Sequence, residues 1–176
     1  MGQDEIRQAI EGALDYLAKN RADAKYTDSP ATARLSEPNG LRVEVAGPDN
    51  ARIETDMPTS VGGTNATASP GWYLRAAEAS CVATMIAMRS AQLGIRLTNV
   101  EVTVDSESDD WGILGVGDDL GEHVDAGPIS TRVSVQIRAE TDDATAHALV
   151  KWAVDHCPVT DAVRRAVPMT IEVATQ

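Results

Sequence analysis

One long stretch, residues 69–94, limits the folds open to this chain more than any other part of its sequence. Ser69 can cap the first free N–H groups of a helix, Pro70 suits the first helical position, and Gly94 can end the helix in a left-handed conformation. Between them the residues are mostly apolar and rich in alanine, and no clean polar face remains. A helix that is apolar on most sides is buried on most sides. The stretch therefore predicts a central core helix.

The flanking segments predict an α+β fold, because strands come in groups and do not alternate regularly with helices. Helices are predicted over residues 3–19, 142–156 and 160–167. Strands are predicted over residues 32–36, 41–45, 51–55, 98–104, 129–139 and 169–173, the first three as an antiparallel meander. The acidic, glycine-rich segment 105–127 is expected to be a long hairpin excursion. We expect one domain over residues 1–176, with residues 1–20 as an N-terminal helical extension.

Composition excludes several classes of partner. The net charge is −12 over 176 residues, so the clustered Lys and Arg that nucleic-acid phosphates or anionic membranes require are not expected. The first residues lack the basic start and apolar run of a secretory signal, and the long helix carries charges too often to span a bilayer. We therefore expect a cytoplasmic protein without a bound cofactor or metal.

The chain has two cysteines, Cys81 within the central helix and Cys157 far along the sequence. The simplest interpretation of each is a small apolar residue in the core. However, both are predicted to face the core, so they can meet, and Cys157 precedes Pro158 at a helix end. In a reducing compartment such a pair is more often free, catalytic or redox-active than a structural disulfide.

Two charged residues share the central helix with Cys81. Glu78 lies three residues before it and therefore on the same face. A carboxylate there would disfavour a thiolate unless a cation compensated, and Arg75 is spaced to pair with Glu78. An intrahelical ion pair is the simpler interpretation, and support of a thiolate by Arg75 is the alternative.

Four features occur together in order along the chain: Gly62-Gly63, Ser69-Pro70, the helical motif AxASC that ends at Cys81, and His-Cys-Pro-Val around Cys157. In combination they resemble the OsmC/Ohr superfamily, and the order of elements fits along almost the whole chain. The segment VPMTIEV resembles the closing strand of the family. The N-terminal helix is similar to that of a subgroup labelled OsmC-like.

The resemblance implies antiparallel sheets around a long buried central helix, in an intertwined homodimer. It also implies reduction of organic hydroperoxides. Cys81 matches the cysteine that attacks the peroxide and becomes a sulfenic acid, and Cys157 matches the one that condenses with it to a disulfide, which an external thiol then reduces. A nearby thiol traps a sulfenic acid before further oxidation.

The chain departs from the active family pattern at two positions. Gly71 stands where the family has a Glu, and Pro38 stands where it has the Arg that stabilises the thiolate. Arg34, Arg42 or Arg75 can substitute only from a different backbone position. Two hypotheses therefore stay open: a thiol-dependent peroxidase that uses Cys81 and Cys157, and an inactive or divergent homodimer that binds a small apolar ligand.

Overall fold

A computed structural model describes residues 2–35, 40–117 and 121–175. By compactness the chain divides into two units. One contains residues 1–7 and 77–176, and the other contains residues 8–76. The central helix runs through the boundary between them. The expected organisation as one domain stays a prediction, and each unit is described by itself below.

The unit of residues 8–76 contains the predicted antiparallel meander. Helix α1 (Gln3–Lys19) contributes most of its length here and is followed by β1 (Thr32–Leu35), β2 (Val43–Ala46) and β3 (Arg52–Thr55). Strand β2 lies in the middle and pairs antiparallel with both neighbours. The turn between β2 and β3 uses positive φ angles at Asp49 and Asn50, two residue types that tolerate this conformation. The meander prediction is confirmed.

Helix α2 (Pro70–Leu93) matches the predicted central helix at both ends. The Trp72 N–H donates to Ser69 Oγ over 3.3 Å, and Gly94 adopts φ +67° just beyond the last turn. Val82 and Ile86 are fully buried, whereas Met88 and Leu93 are exposed. The expectation that the helix is buried on most sides is thus too broad for a single chain, because the core covers only one of its faces.

The unit that holds most of α2 is built around a long antiparallel pair, β4 (Leu97–Ser108) and β5 (Pro128–Ala139). Helices α4 (Asp143–Asp155) and α5 (Pro158–Arg164) follow. The Asp142 side chain caps α4 by accepting from the Thr145 N–H over 2.9 Å. The core combines α2, α4 and the inner faces of both strands. Its fully buried side chains are Val82, Ile86, Leu149, Ala153 and Cys157.

The structure differs from the prediction in segments 105–127 and 160–167. Strand β4 continues through residues 105–108, where the prediction had a loop, because the backbone pairing with β5 extends as far as Ser108. The connection that follows begins with a short helix, α3 (Asp110–Leu114), capped by Asp109. The last helix begins at Pro158 rather than at residue 160.

The predicted closing strand over residues 169–173 is not formed. Met169, Ile171 and Val173 alternate as a strand would, yet each is at least 76% exposed. A strand needs a neighbour to satisfy its backbone N–H and C=O groups, and this segment pairs with none of the described strands. In the described residues no helix is both long and apolar enough to cross a membrane.

Candidate thiol site

Cys157 lies at the junction between α4 and α5 and is fully buried. It precedes Pro158, which suits the first helical position because it has no N–H to leave unpaired. At the start of α5 the backbone turns back, so the Thr160 N–H donates to Cys157 Sγ over 3.5 Å. The thiol thus takes the place of the side-chain oxygen that usually caps a helix.

The two cysteines predicted to meet do so in this unit. Cys81 on α2 is partly exposed, packs against the cluster that contains Cys157, and is a free thiol, as is Cys157. Burial and the hydrogen bond donated to Cys157 raise the pKa of the Cys81 thiol. The N–H of Val159 acts in the opposite direction on Cys81.

The pKa of Cys157 is lowered, although burial alone would raise it. The groups that outweigh burial are the Thr160 hydroxyl, the Thr160 N–H, the Cys81 thiol and the Val159 N–H. The Thr160 N–H donates to the Cys157 sulfur, and hydrogen bonds to the charged form favour that form. The pair is therefore asymmetric: Cys157 is the better thiolate and Cys81 is the donor.

Glu78 is the third titratable group of this site. It is 2% exposed, and its Oε1 accepts a hydrogen bond from Thr160 Oγ1 over 3.1 Å. The side chain therefore lies at the buried contact between α2 and α5, not on the solvated helix surface expected of a simple intrahelical ion pair. A buried polar group needs such a partner, because burial without one costs roughly 1–3 kcal/mol.

Burial and hydrogen bonds are the main causes of the thiol pKa shifts in this unit. Among its described residues no guanidinium or ammonium group is one of the main causes of either shift in pKa. Arg42 and Arg75 belong to the unit of residues 8–76, where Arg42 forms an ion pair with Glu54 that raises the pKa of its guanidinium. Their support of a thiolate stays a prediction. Pro38 lies outside the described residues.

Thr160 is the functional side chain that the sequence analysis missed. The helix was predicted to begin at Thr160, so the sequence analysis did not anticipate the hydrogen bond from its N–H to Cys157 or the one from its hydroxyl to Glu78. The dipeptide Cys157-Pro158 was the available signal, since proline at the first helical position makes the preceding residue the cap. Cysteine is an uncommon residue at the cap position, so the known preference for Ser, Thr, Asp and Asn did not predict a helix start at Cys157.

A family model described as OsmC-like protein matches residues 63–172. The chain belongs to the OsmC-like family. The matched range includes α2, both cysteines, Glu78 and Thr160, so the whole thiol site lies on the part that defines the family. No curated protein sequence matches the chain.

Solved structures of the OsmC-like family share this fold. An OsmC-like protein from Mycoplasma pneumoniae superposes with a TM-score of 0.63 at 13% identity, over 80% of this chain and 89% of the other. An OsmC-like protein of unknown function from Vibrio cholerae has a TM-score of 0.61 at 8% identity, over 78% and 94%. An organic hydroperoxide resistance protein OsmC from Legionella pneumophila has a TM-score of 0.53 at 21% identity, over 80% and 91%. At these identities the likeness establishes the fold.

Proposed function

We propose that this OsmC-like protein is a thiol-dependent peroxidase that reduces organic hydroperoxides with Cys81 and Cys157. The observation that carries the proposal is that two free thiols, far apart in the sequence, come together in one packed cluster. A disulfide requires the two side chains to be neighbours, and packing in one cluster is consistent with that requirement. Relatives of the same fold named as organic hydroperoxide resistance proteins add support.

The reaction follows in three steps. The Cys81 sulfur attacks the outer oxygen of the hydroperoxide: an S–O bond forms, the O–O bond breaks, and the alcohol leaves with one proton. The Cys157 sulfur then attacks the sulfenic acid, which forms the disulfide and releases water. An external thiol reductant supplies two electrons and two protons that restore both thiols.

Access favours Cys81 as the attacking residue. Its side chain is partly exposed, whereas the Cys157 side chain is fully buried. A peroxide can therefore approach Cys81 more readily, and Cys157 is placed to trap the sulfenic acid. This assignment agrees with the positions that the two residues occupy in the family motif.

The test counts the free thiols before and after an organic hydroperoxide is added. Addition of an organic hydroperoxide should remove both titratable thiols within seconds, and a dithiol should then sustain turnover. Cys157→Ser should stop at a sulfenic acid on Cys81 that a sulfenate-specific reagent labels, and Cys81→Ser should not react at a comparable rate. Two unchanged thiols after treatment of the wild type would contradict the proposal.

A second candidate is a divergent family member that binds a small apolar ligand. The raised pKa of Cys81, together with Gly71 at the family's Glu position, favours this alternative. In this case Cys81→Ser should retain an apolar fluorescent probe as well as the wild type does. Loss of the probe together with the thiol would contradict this alternative.

The proposal includes a homodimer in the cytoplasm. The apolar side of α2 that Met88 and Leu93 leave exposed, and the alternating Met169, Ile171 and Val173, are surfaces that a second copy of the chain can cover. The two free thiols suit a reducing compartment. Analytical sedimentation tests the homodimer, because a dimer has twice the chain mass of 18.7 kDa.

A further inference from the structure

A buried hydrogen bond joins the helix that carries Cys81 to the helix that follows Cys157. The Thr160 hydroxyl of α5 donates to Glu78 Oε1 of α2 over 3.1 Å. Glu78 is 2% exposed and Thr160 is 3% exposed, so water does not compete for this contact. We call it the Glu78–Thr160 link.

Each end of the link lies close to one of the two cysteines. Glu78 precedes Cys81 by three residues, so the two side chains share a face of α2. Thr160 follows Cys157 by three residues, and its N–H donates to the Cys157 sulfur over 3.5 Å. Thr160 thus contacts the second cysteine through its backbone and the helix of the first cysteine through its side chain.

Helix α5 needs such a contact to hold its place. It has seven residues, and a helix this short is marginal by itself. Val159 packs against the core cluster, and Arg164 pairs with Asp155 at 3.3 Å, with both side chains at least 40% exposed. An exposed ion pair contributes little, whereas breaking a buried hydrogen bond leaves polar groups unsatisfied. The link is therefore a principal determinant of where the first turn of α5, with Cys157, lies against α2.

We propose that Glu78 and Thr160 are positioning residues that hold Cys157 beside Cys81 and so favour the disulfide over further oxidation of Cys81. The physical reason is preorganisation: groups that are already held together lose less conformational freedom when they react. The inference rests on the proposed function, which supplies the sulfenic acid on Cys81. The link itself takes no part in the chemistry of the peroxide.

Positioning can be measured without a peroxide. In mixtures of reduced and oxidised glutathione the two protein thiols lose two electrons and two protons, and one oxidised glutathione becomes two reduced molecules. Alkylation of the remaining thiols gives the effective concentration of one cysteine for the other. The double variant Glu78→Met/Thr160→Val, which lacks the link, should lower this effective concentration about tenfold, in line with the loss of one hydrogen bond.

The double variant also separates positioning from stability. It keeps similar side-chain volumes and leaves neither partner unpaired, and replacement of both partners by apolar groups is nearly neutral for folding. Its urea midpoint should therefore stay close to that of the wild type. An unchanged glutathione equilibrium in this variant would overturn the proposal. A raised effective concentration would also overturn it, because the link would then oppose the disulfide.

Single variants provide an independent arm if the double variant folds poorly. Thr160→Val alone should lower the effective concentration as far as the double variant does, since either change removes the same hydrogen bond. Thr160→Ser keeps the hydroxyl and Glu78→Gln keeps an accepting oxygen, so both should retain the wild-type equilibrium. Failure of these conservative variants would contradict the link. Ser90→Ala, which removes a buried hydroxyl that donates to Ala87 O over 2.8 Å, is the control and should change nothing.

A peroxide arm distinguishes failure of the link from failure of the proposed function. If the glutathione equilibrium shifts as predicted but hydroperoxide leaves both wild-type thiols free, the peroxidase proposal fails and the link stands. If hydroperoxide forms the disulfide but the double variant keeps the wild-type glutathione equilibrium, the peroxidase stands and the link fails.

Where both hold, the first attack on Cys81 should keep its wild-type rate in the double variant. At high hydroperoxide concentration that variant should accumulate Cys81 sulfinic acid, which mass spectrometry detects. A second hydroperoxide transfers one oxygen to the untrapped sulfenic acid and leaves as its alcohol. Equal amounts of sulfinic acid in the wild type and the double variant would contradict the positioning role.

Discussion

Cys81 packs against the buried cluster that contains Cys157, and the pKa values of the two thiols shift in opposite directions. Cys81 keeps its proton more firmly, and Cys157 carries negative charge more readily. In the pattern implied by the family resemblance, an Arg stabilises the thiolate of the helix cysteine. Here a backbone N–H at the start of α5 donates to the second cysteine and helps to lower its pKa.

The order of the two thiol titrations is the first prediction. In Cys81→Ser, the Cys157 thiolate should form below the ordinary cysteine pKa of about 8.5, because Thr160 continues to donate to it. In Cys157→Ser, Cys81 should ionise above that value, because burial disfavours its charged form. Thiolate absorbance against pH measures both, and the reverse order would contradict the described geometry.

Acid should weaken the unit of residues 8–76 through Asp56. This carboxylate is 1% exposed, and its pKa is lowered to about 2 by the Thr64 hydroxyl and by the N–H groups of Ala66, Met57 and Thr64. A depressed folded pKa contributes stability above the unfolded value of about 3.9, and the contribution is lost as the pH falls toward 2.

Asp56→Asn should therefore unfold at lower denaturant concentration at neutral pH, and the difference from wild type should shrink between about pH 4 and pH 2. Urea unfolding at several pH values measures this difference. Asp28→Asn, at an exposed carboxylate, is the matched control and should follow the wild type. A constant difference across the acid range would show that Asp56 does not act through its charge.

Leu149 should be a principal contributor to the stability of the thiol unit. It is 2% exposed and belongs to the cluster that also contains Cys157. Leu149→Ala should lower the free energy of unfolding by roughly 2–5 kcal/mol, the usual cost of lost burial plus a cavity. Leu114→Ala, at a side chain that is 60% exposed, should change it by less than about 0.5 kcal/mol in urea unfolding.

Residues 169–173 should contribute to the interface of the proposed homodimer. Ile171 is 76% exposed in one chain, so Ile171→Glu should leave the folded protomer intact by circular dichroism. If residues 169–173 pair with a second copy, as the proposed homodimer suggests, the substitution should shift sedimentation toward the monomer. A dimer of unchanged affinity would exclude this segment from the interface.

Local sequence signals were sufficient for elements whose ends and faces are determined by nearby residues. The ends of α2 follow from Ser69, Pro70 and Gly94, since caps depend on backbone geometry within a few residues. The alternating residues of β5 and the Asp142 cap of α4 could also be predicted from nearby residues alone. The pattern at Met169, Ile171 and Val173 predicted a strand that the chain does not form, because alternation cannot supply a neighbouring strand.

The sequence by itself determined the α+β class, the central helix and, through a resemblance carried by several motifs, the family and the two cysteines that matter. Only the tertiary structure decided which groups surround them. Sequence spacing suggested a pair between Arg75 and Glu78, which stays a prediction, but it gave no sign that the fold brings Thr160 from a distant helix to Glu78. The ionisation of a buried group depends on the few donors and charges within hydrogen-bonding distance, and long-range packing selects them.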